Sequence, residues 1–160
     1  MGWKRITCAA ATTGAAEGTT LLTAFDCALL AAGIGNINLS KISSILPPAT
    51  TLVGLPRIKP GVIVPTAYAA ECSEVPGNLI AACVGWARTR DPEKNGVIME
   101  FHGSASRDHA EAVVAHMLEE AFAARGWEIA ELRVHGVEHR VGRVGCAVAA
   151  IVLLSYDDLC

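Results

Sequence analysis

Runs of basic residues are missing from this 160-residue chain, whose formal net charge is −3. Nucleic-acid binding therefore has no electrostatic footprint, and a mildly acidic protein suits a cationic ligand better. No CxxC pair occurs. Cys8, Cys27, Cys72, Cys83, Cys146 and Cys160 are scattered through apolar segments and read as reduced core thiols of a cytoplasmic protein. No apolar run is long enough to cross a bilayer. The longest, Cys146 to Leu154, falls well short of the roughly 20 residues a spanning helix needs. The opening MGWKRITCAAATTG has no signal-peptide centre. Aromatic residues are few, at 5%, so small residues must do much of the packing. Internal repeats and low-complexity segments are absent.

What is present is a 52% hydrophobic, 18% charged composition, which excludes disorder and supplies one dense core. The length fits a single domain, residues 1–160, and so much apolar surface on so small a body predicts burial in an oligomer. Several familiar motifs fail on inspection. Gly14 and Gly18 sit among threonines, but no lysine follows to complete a phosphate loop. Gly33-Ile34-Gly35 follows a helical segment and lacks a third glycine. His135 and His139 flank Glu138 without a third metal ligand, so no metal is expected. Lys4, Lys41, Lys59 and Lys94 lack the phosphate cradle that a pyridoxal site requires.

Periodicity predicts a strand over 3–11, a loop of small residues over 12–20, and a helix over 21–32. Thr20 is its N-cap, Gly33 its stop, and Leu22, Phe25 and Leu29 form its apolar face. Asp26 is its single charge. A turn-rich connection over 49–61 leads to strands over 62–72 and 78–88, joined at Pro76-Gly77 and read as a hairpin. A strand at 96–103, GVIMEFHG, precedes a long helix from a Ser106 cap to about Arg125, closed by Gly126. Final strands run over 127–139 and 141–154. His102, His109 and His116 read as surface or helix-face residues. Two helices and about eight strands with short links argue an α+β fold with an antiparallel or mixed sheet.

The stretch from Asn36 to Pro48, NINLSKISSILPP, stands apart. Ile37, Leu39 and Lys41 alternate with Asn38, Ser40 and Ile42, a strand pattern that Pro47-Pro48 must end by Leu46. Ser43-Ser44 then falls at a strand end, where backbone can be held under strain. The hydroxyl of Ser44 can attack the carbonyl of Ser43, turning the amide into an ester. β-Elimination then breaks the chain and leaves dehydroalanine, and loss of ammonia gives a pyruvoyl ketone at position 44. Ser-Ser alone is also an ordinary loop dipeptide.

NINLSKISSILPP resembles the processing segment of the pyruvoyl-dependent arginine decarboxylases. So do LLTAFDCALLAAGIGN, VPTAY, GVIMEFHG with RGWE, and VEH with GCAVAA, in that family's order along nearly the whole chain. The resemblance implies a four-layer αββα sandwich and a trimer with active sites between subunits; pairing of trimers into hexamers is left open. It implies self-cleavage into a β subunit, 1–43, and an α subunit, 44–160, headed by a pyruvoyl group derived from Ser44. The mature enzyme would convert L-arginine to agmatine and CO2 for polyamine synthesis or arginine catabolism. Such a ketone supplies the electron sink that no ordinary side chain offers.

Roles follow for other positions. The resemblance places Asn38 near the reacting carbonyl as a hydrogen-bond donor. It makes Glu100, a lone carboxylate in an apolar strand, the acid that returns a proton after CO2 leaves, and burial would favour its protonated form. It pairs Asp26 with the substrate guanidinium. Leu29 would line the same pocket, and the freed carboxylate of Ser43 would face the substrate. Two alternatives stay open: the same machinery acting on histidine or aspartate, and a non-catalytic, uncleaved trimeric relative.

Overall fold

The computed structural model describes residues 5–160. Trp3 and Lys4, named above, lie outside the described residues. The elements run β1 (Cys8–Glu17), α1 (Leu21–Ala31), β2 (Asn38–Lys41), β3 (Ile45–Leu46), β4 (Thr51–Leu52), β5 (Ile63–Ser73) and β6 (Leu79–Arg88). They continue with β7 (Gly96–Gly103), α2 (Arg107–Arg125), β8 (Glu131–Arg140), β9 (Gly145–Leu154) and a 3-10 turn, Tyr156–Asp158. One sheet has strand order β2-β5-β9-β1-β4, the other β3-β7-β6-β8. Both are built mainly from antiparallel ladders; β2 on β5 and β4 on β1 are parallel.

Four layers result, because each sheet buries both faces. Ala67, Ala69, Ile80, Val84, Ile98, Ala149 and Ile151 fill the space between the sheets. On the outer face of the first sheet, α1 packs Ala24, Ala28 and Leu29 over Ala10, Val148 and Ala150. On the outer face of the second, α2 packs Ala110, Val114, Leu118 and Phe122 over Ala81, Cys83 and Val97. The αββα layering expected above is therefore observed. Among the described residues no helix is long and apolar enough to cross a membrane.

Both helices begin and end where expected. The Thr20 side chain accepts from the N–H of Thr23, an N-cap worth about 1 kcal/mol. Ser106 does the same for α2, and Gly126 ends it at φ 65°, a left-handed position that costs glycine little.

Several expectations need correction. The loop read over 12–20 is strand as far as Glu17, paired residue by residue with β9. Its small residues are there for α1. A Cβ on Gly14 would lie 2.4 Å from the Ala28 carbonyl oxygen, so the helix rests directly on the strand backbone. The segments over 62–72 and 78–88 are no hairpin. They lie in different sheets, and the turn at Gly77 (φ 82°) carries the chain between layers. The apolar face of α1 is rotated from the Leu22 stripe: Ala24, Ala28 and Leu29 are buried, while Leu22 is 74% exposed. There are nine strands among the described residues, the additional short ones falling in the segments around Pro47-Pro48.

The cysteines are not all reduced. Cys72 of β5 and Cys146 of β9 form a disulfide. They are register partners on neighbouring strands, a relation that spacing 74 residues apart does not reveal.

Candidate active site

The chain changes sheets between Lys41 and Ile45. β2 ends parallel to β5, with Lys41 opposite Thr66; β3 begins antiparallel to β7, with Ile45 opposite Val97. Ile42, Ser43 and Ser44 bridge the two sheets. Ser44 stands at φ 70°, a left-handed conformation that costs a residue with a Cβ roughly 1–2 kcal/mol. The strain expected at the Ser-Ser bond is thus located on its second residue, at a crossover between two strands.

Two contacts hold Ser44 there. Its carbonyl accepts the N–H of Ile98 at 2.8 Å. Its Oγ lies 2.8 Å from Oε1 and 3.0 Å from Oε2 of Glu100, to which the hydroxyl donates. Alternation along β7 explains the second contact. Val97, Met99 and Phe101 face α2, and Ile98 faces the space between the sheets. Glu100 shares the face of Ile98. Both Ser44 and Glu100 are half-buried, while Ser43 is exposed. A carboxylate that accepts the hydroxyl proton of Ser44 makes that oxygen a better nucleophile.

The other expected site residues are not gathered at this pair within one protomer. Asn38, exposed on the edge strand β2, donates its side-chain N–H to the Gly61 carbonyl at 3.0 Å. Asp26 is exposed on α1. Leu29 is buried between α1 and its sheet. Around Asp26, α1 also presents Leu21, Leu22 and Leu30, exposed at 43%, 74% and 50%. The concavities flanking the β6–β7 turn, about 220 and 410 Å³, contain none of these residues.

Two His–carboxylate pairs close one end of the space between the sheets, and neither was picked out as a pair in the sequence. His102 of β7 meets Glu71 of β5 at 2.6 Å. His139 of β8 meets Glu17 of β1. The Glu17 carboxylate also accepts the N–H groups of Gly142, Arg143 and Val144, and these bonds, with that of His139, bring its pKa down to about 2. Burial under α2 pushes the Cys83 thiol up to about 12, and burial on the other face of the sheet, beside Val84, lowers the pKa of His135. The signal for His102 was available as its i+2 relation to Glu100. Glu17 was hidden by the assignment of its segment to a loop.

A family model described as pyruvoyl-dependent arginine decarboxylase (PvlArgDC) matches residues 8–158. A protein of that name from Methanocaldococcus jannaschii is 47% identical over 140 residues, covering 88% of this chain and 85% of its own. Another, from Methanococcus maripaludis, is 44% identical over 140 residues, with the same coverage of each chain. A third, from Pyrococcus abyssi, is 41% identical over 159 residues, 98% of this chain and 100% of the relative.

Proposed function

The chain belongs to the family of pyruvoyl-dependent arginine decarboxylases, and from that premise we propose that it cuts itself between Ser43 and Ser44 and decarboxylates arginine with the group so formed. The observation that carries the reading is the Ser44 hydroxyl on the Glu100 carboxylate, at a residue with positive φ.

The residues present fit such a group. Ser44 Oγ, its hydroxyl polarised by the hydrogen bond it donates to Glu100, attacks the carbonyl carbon of Ser43, and the hydroxyl proton ends on the peptide nitrogen. The peptide nitrogen leaves, giving an ester and a free amine. Loss of the Ser44 Cα proton breaks the Cβ–Oγ bond, releases Ser43 as a carboxylate and leaves dehydroalanine. Tautomerisation and addition of water expel ammonia and leave the ketone. Unwinding the φ 70° conformation favours the forward direction. The Ile98 N–H on the Ser44 carbonyl fixes the segment while this happens.

When in place, the pyruvoyl group supplies the electron sink for loss of CO2. Glu100, beside the same atom, holds the proton that returns to the substrate carbon. Asp26 takes the guanidinium by paired hydrogen bonds, Leu29 backs the same pocket, and Asn38 donates near the reacting carbonyl. The Ser43 carboxylate faces the substrate. Asp26 and the Ser44–Glu100 pair lie in different layers of one protomer, which favours a site completed by a neighbouring copy. The exposed leucines around Asp26 provide the apolar surface for that contact, and a trimer of cleaved protomers satisfies it.

Denaturing mass spectrometry tests the reading. Two chains are expected, 1–43 and 44–160, the larger blocked at its N-terminus and reducible by borohydride, with CO2 released from arginine. A Ser44→Ala protein that still releases CO2 would end it. Release of CO2 from histidine or aspartate in preference to arginine would remove Asp26 from its role.

A further inference from the structure

β7 is held unevenly. On one flank β6 pairs with it along its length, from Ala81 opposite Gly103 to Ala87 opposite Val97. On the other, β3 pairs with Val97 and Gly96 alone, and the Ser44 carbonyl takes the Ile98 N–H. Beyond Ile98 no strand of the described residues covers that flank, and this is where Glu100 stands. Once the chain is cut, Ser44 heads a new chain, and the last anchor on that side becomes a chain end.

The next side chain on the face of Glu100 is His102, about 6.6 Å further along the strand. Its Nδ1 lies 2.6 Å from Glu71 Oε2, on β5 of the opposing sheet. His102 is 56% exposed and Glu71 26%. A polar contact that open adds little to stability. What it adds is geometry, since it ties the bare-flanked half of β7 to the other sheet one step from Glu100.

We propose that the His102–Glu71 pair positions Glu100 for proton return, by fastening β7 across the space between the sheets. This rests on the reading of Glu100 as a site residue. His102 and Glu71 are positioning residues, because they touch each other and not the reacting atoms. Displacements of about 1 Å at a reacting group cost up to a hundredfold in rate. A loosened carboxylate therefore lowers kcat, while substrate binding, which uses other residues, is spared.

The test compares full-length wild type, His102→Ala, Glu71→Ala, the exchanged double variant His102→Glu with Glu71→His, His102→Gln, and His116→Ala as an exposed control on α2. Each is incubated until cutting is complete, and kcat, KM and the thermal midpoint are measured with arginine. Each single alanine variant should lose about tenfold in kcat with KM within about twofold. The exchanged pair should recover to within about threefold of wild type, as should His102→Gln, which keeps a neutral donor. His116→Ala should match wild type. Alanine variants at wild-type kcat, or an exchanged pair no better than the single variants, overturn the proposal while leaving the reaction standing. A wild-type protein that is never cut removes the parent reading and this proposal with it.

Discussion

Replacing Glu100 by Gln separates two demands placed on one side chain. Before cutting, the demand is for an acceptor: the Ser44 hydroxyl has carboxylate oxygens at 2.8 and 3.0 Å. Gln keeps one acceptor and loses the charge. A hydrogen bond to a charged group contributes about 1.5–3 kcal/mol and a neutral one about 0.5–1.5. The difference, about 1 kcal/mol, predicts that cutting slows by roughly five- to tenfold. After cutting, the demand is for an acid, and an amide cannot return a proton. General acid catalysis contributes about 10²–10⁴ in rate, equivalent to about 3–5 kcal/mol. The Glu100→Gln protein should therefore be cut to completion on long incubation, then release CO2 from arginine about 10²–10⁴ times more slowly than wild type. The cut fraction is followed by denaturing mass spectrometry and CO2 release by trapping, both on the same sample. Equal losses in the two steps would mean that Glu100 serves one role throughout. Undiminished CO2 release would refute its use as the proton donor.

Three further outcomes follow. Ser44→Gly and Ser44→Ala should both stay uncut, and the glycine variant should be more stable in urea by about 1 kcal/mol, because only alanine carries a Cβ at φ 70°; equal stabilities would mean that the conformation stores no strain. The Glu17 pKa is depressed, so its contribution to stability is present above the ordinary value of 4.5 and is lost as pH falls through about 2. Glu17→Gln should be less stable than wild type near pH 6, with the gap closing toward pH 2, as read from urea midpoints. Cys72 and Cys146 both lie in the 44–160 piece, so a non-reducing denaturing gel should resolve two separate chains without added thiol.

How much could be read from the sequence depended on whether a pattern was local. GVIMEFHG and the Ser106-capped helix came out within a residue or so of their bounds, since alternation, capping and a stopping glycine are short-range signals. Thr12 to Glu17 misled because Gly14 reads as a loop residue on its own. Its reason for being glycine is the Ala28 carbonyl, which only the docked helix brings near. The two strands at 62–72 and 78–88 misled for a related reason: a Pro-Gly turn fixes a change of direction and leaves open which sheet receives the next strand. Ser44 and Glu100 were both singled out, but their contact spans 56 residues and depends on the β3–β7 register. The His102–Glu71 and Cys72–Cys146 pairs are likewise facts of register and layering, which no one-dimensional spacing encodes.

The ten residues of β1 belong to the shorter piece of the proposed cut, yet they form an interior rung of a sheet otherwise built mostly from the longer one. β9 flanks all ten, and β4 flanks Cys8 and Ala9. Peeling the pieces apart would mean extracting that rung together with the helix lying over it, so dilution in native buffer should leave them associated. Once separated by denaturant, they can reunite only by fragment complementation, a second-order process. A protein cut in this way would therefore regain its fold through a bimolecular step between its two pieces that the uncut chain does not need.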